Sequence, residues 1–341
     1  MYERPLSELE FRLLNDWQRD FPLVPRPYDE LARQLGCDES RVMITLADLR
    51  QRGHVSRIGA VFRPHVLGHS TLAAVACPPD RLEAVATLID AYPQVNHNYE
   101  REHRYNLWFV VTAPSPGQVA QTLDDIESDT GLRPLDLPMR ADYHIDLGFS
   151  LRGAREDAPA RPHLHPAGTS VDAARLRAHL DAEDHALTGA LENGLDLTSR
   201  PYAQLAARCG LSEQACLTRI ERLTELSVIR RFGVVVRHRE LGYTANAMVV
   251  WNVPDARVDE VGRQLALQPA VTLCYQRPRR MPDWPYNLFS MLHGRDRASV
   301  LAELTALRGR LGLADIPCQP LFSRRRFKQR GARYISLAKA A

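Results

Sequence analysis

Two segments of the chain carry most of the side chains that could transfer protons or bind anions. The first reads VNHNYEREHRYNLWFVV over residues 95–111 and holds two histidines, His97 and His103, with Tyr99 and Arg101 between them. Histidine is the side chain best suited to donate a proton near neutral pH. Arginine can bind a carboxylate through two parallel hydrogen bonds. This segment is therefore a candidate site for proton transfer on an anionic substrate.

The second segment, residues 274–294, reads CYQRPRRMPDWPYNLFSMLHG and offers different chemistry. Its candidate ligand groups are three arginines, two aromatic residues and one histidine: Arg277, Arg279, Arg280, Tyr275, Trp284 and His293. Both segments contain a Tyr, a nearby Arg and then Tyr-Asn-Leu entering a strand, but their connecting loops differ in length. The arginines could hold carboxylates and the rings could line an apolar slot. Trp284 is equally well explained as a core residue, and His293 as a group that caps a strand end.

These two segments occupy equivalent places in an internal repeat. Arg-Pro-Tyr at residues 26–28 recurs at residues 200–202, an offset of 174. The same offset, without a gap, aligns four further pairs: Leu31-Ala32 with Leu205-Ala206, Gly36 with Gly210, Gly59 with Gly233, and Leu67-Gly68 with Leu241-Gly242. Spaced glycines do not stay in register over such a length by chance. The chain is therefore a duplication.

Each copy begins with a pattern typical of a helix-turn-helix. Apolar residues at helical spacing over residues 29–35 and 203–209 end at a glycine, and an N-cap candidate, Asp38 or Ser212, then starts a second helix. The second helices are predicted over residues 39–52 and 213–226. A short apolar strand pair around residues 55–62 and 228–236 fits a wing.

After the wing, both copies show the strand and helix order βαββαβ, which is typical of a ferredoxin-like domain. In copy one the predicted elements are strand 71–76, helix 80–91, strands 95–99 and 105–112, helix 115–129 and strand 132–138. In copy two they are strand 247–253, helix 255–267, strands 271–276 and 286–293, helix 295–311 and strand 314–320. The fold class is α+β, a tandem repeat of winged helix-turn-helix and ferredoxin-like domains. The predicted domains cover residues 1–65, 66–151, 173–238 and 239–341, with a Pro-rich linker at 152–172.

This architecture resembles the Lrp/AsnC regulators over nearly the whole chain. Those proteins pair through the sheets of their ligand-binding domains, and here the partner would lie in the same polypeptide as a pseudo-dimer. The resemblance suggests DNA binding, for which the second helices offer several arginines: Arg41, Arg50 and Arg52 in copy one, and Arg219 and Arg222 in copy two. A regulator that binds a palindromic DNA site needs two similar recognition helices. These two helices differ at most outward positions, so DNA binding is not expected.

The two chemical segments resemble the siroheme decarboxylases, a branch of the same fold. H-N-Y-x-R-x-H-x-Y-N-L-W-F, together with YHIDLGF at residues 143–149, is similar to one subunit type of that family. C-Y-x-R-P-R-x₃-D-W-P-Y-N-L-F-x-M-x-H-G, together with Arg-Phe-Lys at residues 326–328, is similar to the other. The family is normally a heterodimer, and some members fuse both subunits.

The resemblance implies that carboxylate is removed from two acetate side chains of siroheme. The products would be 12,18-didecarboxysiroheme and carbon dioxide, in haem d1 or an alternative haem synthesis. His97 and His103 are the predicted catalytic proton donors, followed by His144 and then His293. The predicted substrate-binding residues are Tyr99, Arg101, His144, Tyr275, Arg277, Arg279, Arg280, Trp284 and His293. No cofactor beyond the iron of the substrate and no protein metal site are expected, although His293 could be an axial iron ligand.

Composition sets wider bounds. The chain has 341 residues, of which 45% are hydrophobic and 25% charged, as in a globular protein without a membrane span. The first residues carry no signal-peptide pattern, and six cysteines without a C-x-x-C pair favour a reducing, cytoplasmic setting. Two of the 44 basic residues are lysines, which leaves 42 arginines. That bias is typical either of an anionic partner or of a GC-rich genome.

Three functions are weighed: siroheme decarboxylase, a DNA-binding regulator that senses haem or another small ligand, and a non-catalytic tetrapyrrole carrier. The two unlike segments favour the first function. The fused chain could still pair with a second chain as a homodimer.

Overall fold

A computed structural model describes residues 5–145, 168–237, 245–332 and 334. These residues form two compact units. The first unit holds residues 5–67 and 175–237, and the second holds residues 68–145, 168–174 and the described part of 245–334. The two helix-turn-helix regions therefore share one unit, and the two ferredoxin-like regions share the other.

The elements follow the repeat. Copy one contains α1 (Glu8–Asn15), α2 (Pro27–Leu35), α3 (Glu39–Gln51), β1 (Val55–Phe62), β2 (His69–Val75), α4 (Leu82–Ala91), β3 (Val95–Arg101), β4 (Leu107–Ala113), α5 (Pro116–Thr130), β5 (Leu135–Pro138) and β6 (Ala141–Ile145). Then come β7 (Gly168–Thr169) and α6 (Ser170–Ala178). Copy two contains α7 (Ala182–Leu191), α8 (Pro201–Cys209), α9 (Glu213–Glu225), β8 (Ile229–Val236), β9 (Ala245–Trp251), α10 (Val258–Ala266), β10 (Val271–Gln276), β11 (Leu288–Gly294), α11 (Arg297–Arg310) and β12 (Cys318–Gln329).

Both predicted helix-turn-helix motifs are confirmed. Helix α2 ends at Gly36, whose φ of 67° is the left-handed conformation that favours glycine, and α8 ends likewise at Gly210 with φ 69°. The side chain of Asp38 then accepts a hydrogen bond from the N–H of Arg41 at 2.7 Å and caps α3. Both α2 and α8 begin two residues earlier than predicted, because a proline stands at their first position.

A helix that was not predicted precedes each motif. Helix α1 follows Ser7 and α7 follows Asp181, and both N-caps form capping boxes, with Glu10 and Asp184 respectively. The signal was present, because an acidic residue three positions after a Ser or Asp N-cap candidate is the sequence pattern of that motif.

The predicted wing strands differ from the prediction. Each range is a single strand, and β1 pairs antiparallel with β8 around Gly59 and Gly233. The two copies therefore build one two-stranded ribbon between them. A one-copy interpretation could not show this, because the hydrogen-bonding partner of each strand lies about 174 residues away in the other copy.

The second unit confirms the βαββαβ order twice, within one ten-stranded sheet. The strand order is β5-β2-β4-β3-β12-β9-β11-β10-β6-β7. The predicted last strand of copy two, residues 314–320, was wrong in extent, because β12 runs from Cys318 to Gln329. Its first part pairs with β9 of its own copy, and from Ser323 onward it pairs with β3 of the other copy. Conversely, strand β6 of copy one pairs with β10 of copy two.

This exchange gives each copy a strand from the other, and it satisfies backbone groups that an edge strand would leave unpaired. Helices α4 and α5 cover one face of the first half-sheet, and α10 and α11 cover one face of the second. The opposite faces share a core drawn from both copies, which includes Leu72, Trp108, Leu137, Met248, Phe289 and Leu321. We expect the predicted site residues to lie around this shared core.

The predicted linker, residues 152–172, falls mainly outside the described residues. Its last residues, 168–172, are the exception, since they form β7 and begin α6. Residues 146–149 of the YHIDLGF motif also lie outside the described residues. Among the helices that the structure describes, none is both long and apolar enough to cross a membrane.

Candidate active site

Alternate side chains of β3 point toward the shared core. Asn98 faces the helices, because its Nδ2 donates to Asp90 of α4 at 2.9 Å. Since side chains alternate along a strand, His97, Tyr99 and Arg101 lie on the opposite face. Tyr275 of β10 belongs to the shared core, so the equivalent strand of copy two presents its Tyr and Arg in the same way.

The two arginines of these strands are placed equivalently. Arg101 donates from Nη1 to the carbonyl oxygen of Leu321 at 3.0 Å, and Arg277 donates to the carbonyl oxygen of Leu137. Each arginine thus reaches into the other copy. Both are buried, and burial lowers the pKa of each guanidinium. Within the described part of the chain, neither Nε atom has a hydrogen-bond partner, so the Nε–H of each arginine is an unpaired donor.

Aromatic rings accompany both guanidinium groups. The Cζ of Arg277 lies 4.6 Å from the ring centre of Tyr275, and that of Arg101 lies 5.8 Å from the ring centre of Tyr99. These distances are within the range of a cation–π contact. Tyr275 also stacks on Phe289, with ring centres 6.0 Å apart. The arrangement combines positive charge with flat apolar surface.

His293 of β11 joins this cluster from the other half-sheet. Its Nδ1 lies 2.6 Å from Oδ1 of Asn246 on β9. Burial first, and then the charge of Arg101, lower the pKa of His293 to about 4. The ring is therefore neutral at pH 7. With Asn246 accepting, the proton sits on Nδ1, which leaves Nε2 as the unprotonated nitrogen.

The two predicted catalytic histidines lie at opposite ends of β3. His97 contacts Oδ1 of Asn96 and stacks on Tyr99 with ring centres 6.2 Å apart. His103 follows the strand, in the turn before Tyr105. His97 and Arg101 are about 13 Å apart at 3.3 Å per strand residue, and His103 lies in the turn beyond Arg101. We therefore expect the two histidines to act on different atoms.

The ring of His103 is held by its surroundings. The N–H of Tyr105 donates to Nδ1 at 3.0 Å, so the proton of the neutral ring sits on Nε2. Burial and then the charge of Arg104 lower the pKa of His103. Arg104 pairs with Asp283 at 2.8 Å, which joins this turn to the long loop of copy two.

Comparisons with known proteins point to one family. The family model of the siroheme decarboxylase NirDL-like HTH domain matches residues 10–55 and 184–230, and that of the AsnC-like ligand binding domain matches residues 67–144 and 240–328. A siroheme decarboxylase NirDL subunit of Paracoccus denitrificans is 44% identical over 98% of this chain and 99% of its own length. The chain belongs to the siroheme decarboxylase family.

Two further relatives support the family assignment. A siroheme decarboxylase of Hydrogenobacter thermophilus is 32% identical over 95% of this chain and 94% of its own. The crystal structure of the siroheme decarboxylase NirDL in co-complex with an iron-uroporphyrin III analogue is 28% identical and matches with a TM-score of 0.65, over 96% of this chain and 94% of that one. The predicted family and its Lrp/AsnC-like fold are confirmed.

In this siroheme decarboxylase family member, Trp284 lies in the core rather than on an open surface. It is fully buried, and five rings surround it with centres 4.9–6.2 Å away: His103, Tyr105, Trp108, Tyr286 and Phe289. His103 meets it edge-on at 5.4 Å. Trp284 therefore supports His103, and its contact with substrate stays a prediction.

Arg279 and Arg280 are both engaged by protein groups. Arg279 donates to Asn252, to the carbonyl oxygens of Val253 and Pro285, and to Asp255 at 3.2 Å. Arg280 donates from Nε to the carbonyl oxygen of Asp136 at 2.7 Å and from Nη2 to its carboxylate at 3.3 Å. Both residues hold the loop between β10 and β11 in place.

His144 lies on β6, beside an irregularity in the pairing of that strand with β10. It stands opposite Cys274, and the register shifts between Cys274 and Tyr275. Its neighbour Tyr143 packs in the core under α10 and α11. The predicted substrate contact of His144 stays a prediction.

The shared Tyr-Asn-Leu motif has a structural role. Asn106 accepts from the N–H of Cys77 and donates to its carbonyl oxygen, both at 2.9 Å. Asn287 makes the same two bonds to Val253, at 3.0 and 2.9 Å. Each asparagine therefore fixes the start of one strand to the end of its neighbour.

The residue that the sequence analysis missed is Asn246. Its signal was an amide side chain inside the otherwise apolar run ANAMVVW of β9. Among the described residues no group of three or more His, Cys, Asp or Glu is placed to hold a metal ion.

Proposed function

We propose that this chain removes carboxylate from two acetate side chains of siroheme, giving 12,18-didecarboxysiroheme and carbon dioxide in haem d1 or an alternative haem synthesis. The observation that carries the proposal is the cluster of His293, Arg101, Tyr99 and Tyr275, drawn from both copies onto the inner faces of the two half-sheets. The relatives named siroheme decarboxylase support it.

The proposed reaction is a redox-neutral exchange of carbon dioxide for a proton. The bond between the methylene carbon and the carboxylate breaks, its electron pair stays on the methylene carbon, and a proton then converts that carbon to methyl. The conjugated macrocycle delocalises this electron pair until the proton arrives, so no cofactor beyond the substrate iron is proposed. One proton is consumed for each carbon dioxide released.

His97 and His103 are proposed as the proton donors. Because they lie at opposite ends of β3, each would serve a different acetate of one macrocycle, which is broad enough to reach both. Arg101 and Arg277 would bind carboxylates that are retained, through donors that include the unpaired Nε–H of each. A scissile carboxylate left unpaired in an apolar place would be lost more readily as neutral carbon dioxide.

Contacts of helix α9 weigh against the regulator. Arg219 pairs with Asp181 at 2.9 Å and with Asp184 at 2.8 Å, and Arg222 also pairs with Asp184. The two basic residues that α9 would offer to DNA are thus neutralised by carboxylates of the same chain. Binding to DNA depends on such cations, so DNA is not proposed as a partner.

The remaining proposals concern compartment and assembly. All six cysteines are free thiols, which supports the reducing cytoplasm. Pairing into a homodimer stays a prediction that light scattering can test.

The deciding experiment is anaerobic incubation of the full chain with siroheme, followed by chromatography and mass spectrometry. We expect the mass to fall by two molecules of carbon dioxide. His97→Ala and His103→Ala should abolish that product, while His179→Ala, an exposed histidine of the first unit, should not. Near-full turnover by either site variant would overturn its assignment. Tight binding without a mass change would indicate the carrier, and salt-sensitive binding to an operator without turnover would indicate the regulator.

A further inference from the structure

The ribbon of β1 and β8 in the first unit carries two equivalent arginines on one face. In its antiparallel register Gly59 lies opposite Gly233, Arg57 opposite Val235, and Arg231 opposite Val61. Opposite residues share a face and side chains alternate along a strand, so Arg57 and Arg231 project from the same face on either side of the glycine pair.

Two loops cover this face closely. A methyl group at Gly59 would lie 3.1 Å from the Cα of Gly194, and one at Gly233 would overlap the backbone of Trp17 and Gln18. Residues 17–21 run along β8, since Val234 donates to the carbonyl oxygen of Trp17 at 2.7 Å. The two arginines are therefore enclosed beneath protein and not spread over a surface.

Arg231 is enclosed without a partner. Its exposed fraction is 6%, and none of its three guanidinium nitrogens has a hydrogen bond among the described residues. Arg57 donates from Nη2 to the carbonyl oxygen of Ala60 at 2.8 Å, while its Nε is buried and unpaired. A buried charge without a partner is strongly unfavourable, so a group that satisfies it is expected.

Comparison of the two copies shows that the negative charge near Arg57 has no counterpart near Arg231. Glu192, which is buried, lies near Arg57 and supplies a negative charge to it. The residue of copy one at the position of Glu192 is Gln18, which has no charge. Near Arg231 there is instead a further cation, Arg19, and burial together with Arg19 and Arg57 lowers the pKa of Arg231 to about 9. The charges near Arg231 are thus those of two further arginines, while Glu192 lies near Arg57 and Asp20 near Arg19.

We propose that Arg231, with Arg57 and Arg19, forms a binding site for one small oxyanion at the ribbon between the two helix-turn-helix motifs. An oxyanion offers several acceptors to a planar guanidinium and supplies the negative charge that Gln18 lacks. Phosphate and the carboxylate of a small metabolite share this chemistry. The site lies in the first unit, and it stands whether or not the proposed decarboxylase activity is correct.

The first test is thermal unfolding of the full chain in increasing inorganic phosphate at constant ionic strength. The melting temperature of the natural protein should rise and saturate, by roughly 5–10 °C at about 100 times the Kd. Arg231→Met should remove the response and, without phosphate, should melt at or above the natural protein, because a buried unpaired charge is gone. Arg41→Met, an exposed arginine of α3, should respond like the natural protein.

A phosphate response that does not saturate, or that persists in Arg231→Met, would overturn the proposal. The second test is equilibrium dialysis of the natural full chain with labelled phosphate and, separately, labelled acetate. We expect about one anion per chain, and the ligand that saturates decides between a phosphate and a carboxylate site. Failure of both to bind saturably would overturn the proposal even if Arg231→Met did not fold.

Discussion

The protonation state of His103 depends on the charges that lie beside its ring. Burial and Arg104 lower its pKa, so the ring is neutral in the free protein at pH 7. A neutral imidazole is a poor acid. Siroheme carries several carboxylates, and negative charge beside the ring favours the imidazolium. We therefore expect His103 to gain a proton at Nδ1 as the substrate binds, with loss of the hydrogen bond that Nδ1 accepts from the N–H of Tyr105.

The pH dependence of turnover measures this effect. The profile of kcat/KM reports the free enzyme and that of kcat reports the complex. Because the role proposed for His103 requires its protonated form, both should fall as the pH rises through the respective pKa, with the kcat limb higher by roughly one pH unit. His103→Gln should lower kcat by roughly 10²–10⁴-fold and remove the limb. His179→Ala should keep the natural profile, and coincident limbs in the natural protein would contradict the expectation.

His293 leads to a prediction about stability. Its pKa is lowered from 6.5 to about 4 in the folded protein, whereas the unfolded chain keeps the ordinary value. The unfolded state therefore binds the proton more readily, and folding stability is lost as the pH falls from about 6.5 to about 4. His293→Gln should reduce this acid-induced loss by roughly 1–3 kcal/mol. Urea unfolding at pH 7.5 and pH 5, followed by tryptophan fluorescence, measures it, and an unchanged pH dependence would refute the assignment.

The residue types of the site could be predicted from the sequence, but their contacts could not. The motif around His97 and Arg101 indicated acid–base and anion chemistry, because those functions require those side chains. It could not show that Trp284 would be fully buried or that Arg279 would bind four groups of its own chain. Such contacts depend on which strand ends meet in three dimensions.

At the scale of elements, the loop between β10 and β11 depends on Arg279. Its guanidinium joins Pro285 within the loop to Asn252 and Val253 beyond the end of β9. Arg279→Met leaves these acceptors unpaired and should lower the free energy of unfolding by roughly 1–3 kcal/mol. It should raise KM through a looser loop. Arg263→Met, an exposed arginine of α10, serves as the control for both measurements. A higher KM with unchanged stability would instead identify Arg279 as a direct substrate ligand.

Local elements could be predicted well because their signals are local. Gly36 and Gly210 end helices through their own backbone conformation, and Asp38 caps α3 three residues away. Strand partners were harder, because β1 pairs with β8 and β12 reaches β3 across most of the chain. The sequence of one copy alone contains no pattern that identifies the strand with which β1 or β12 pairs.

Across the molecule as a whole, duplication followed by divergence has left different residues at equivalent positions of the two copies. His97 of copy one corresponds to Leu273 of copy two. His97 pairs with Val110 and Leu273 pairs with Met291, and these two pairs occupy equivalent positions in the two copies. In the same alignment His293 corresponds to Thr112. The Tyr and Arg are present twice, but these histidines are present once. We therefore expect one productive site per chain.

Arg101 and Arg277 provide a matched pair to test it. Each donates to an equivalent carbonyl of the other copy, so Arg101→Met and Arg277→Met should lower the melting temperature by similar amounts. Only Arg101 lies near His293, so its replacement should reduce kcat by the larger factor, at least roughly tenfold more than Arg277→Met. Anaerobic titration of the natural chain, followed by the absorbance of siroheme, should reach saturation at one equivalent. Equal losses of kcat, or saturation at two equivalents, would mean that both copies kept a working site and that the divergence of their loops serves something other than catalysis.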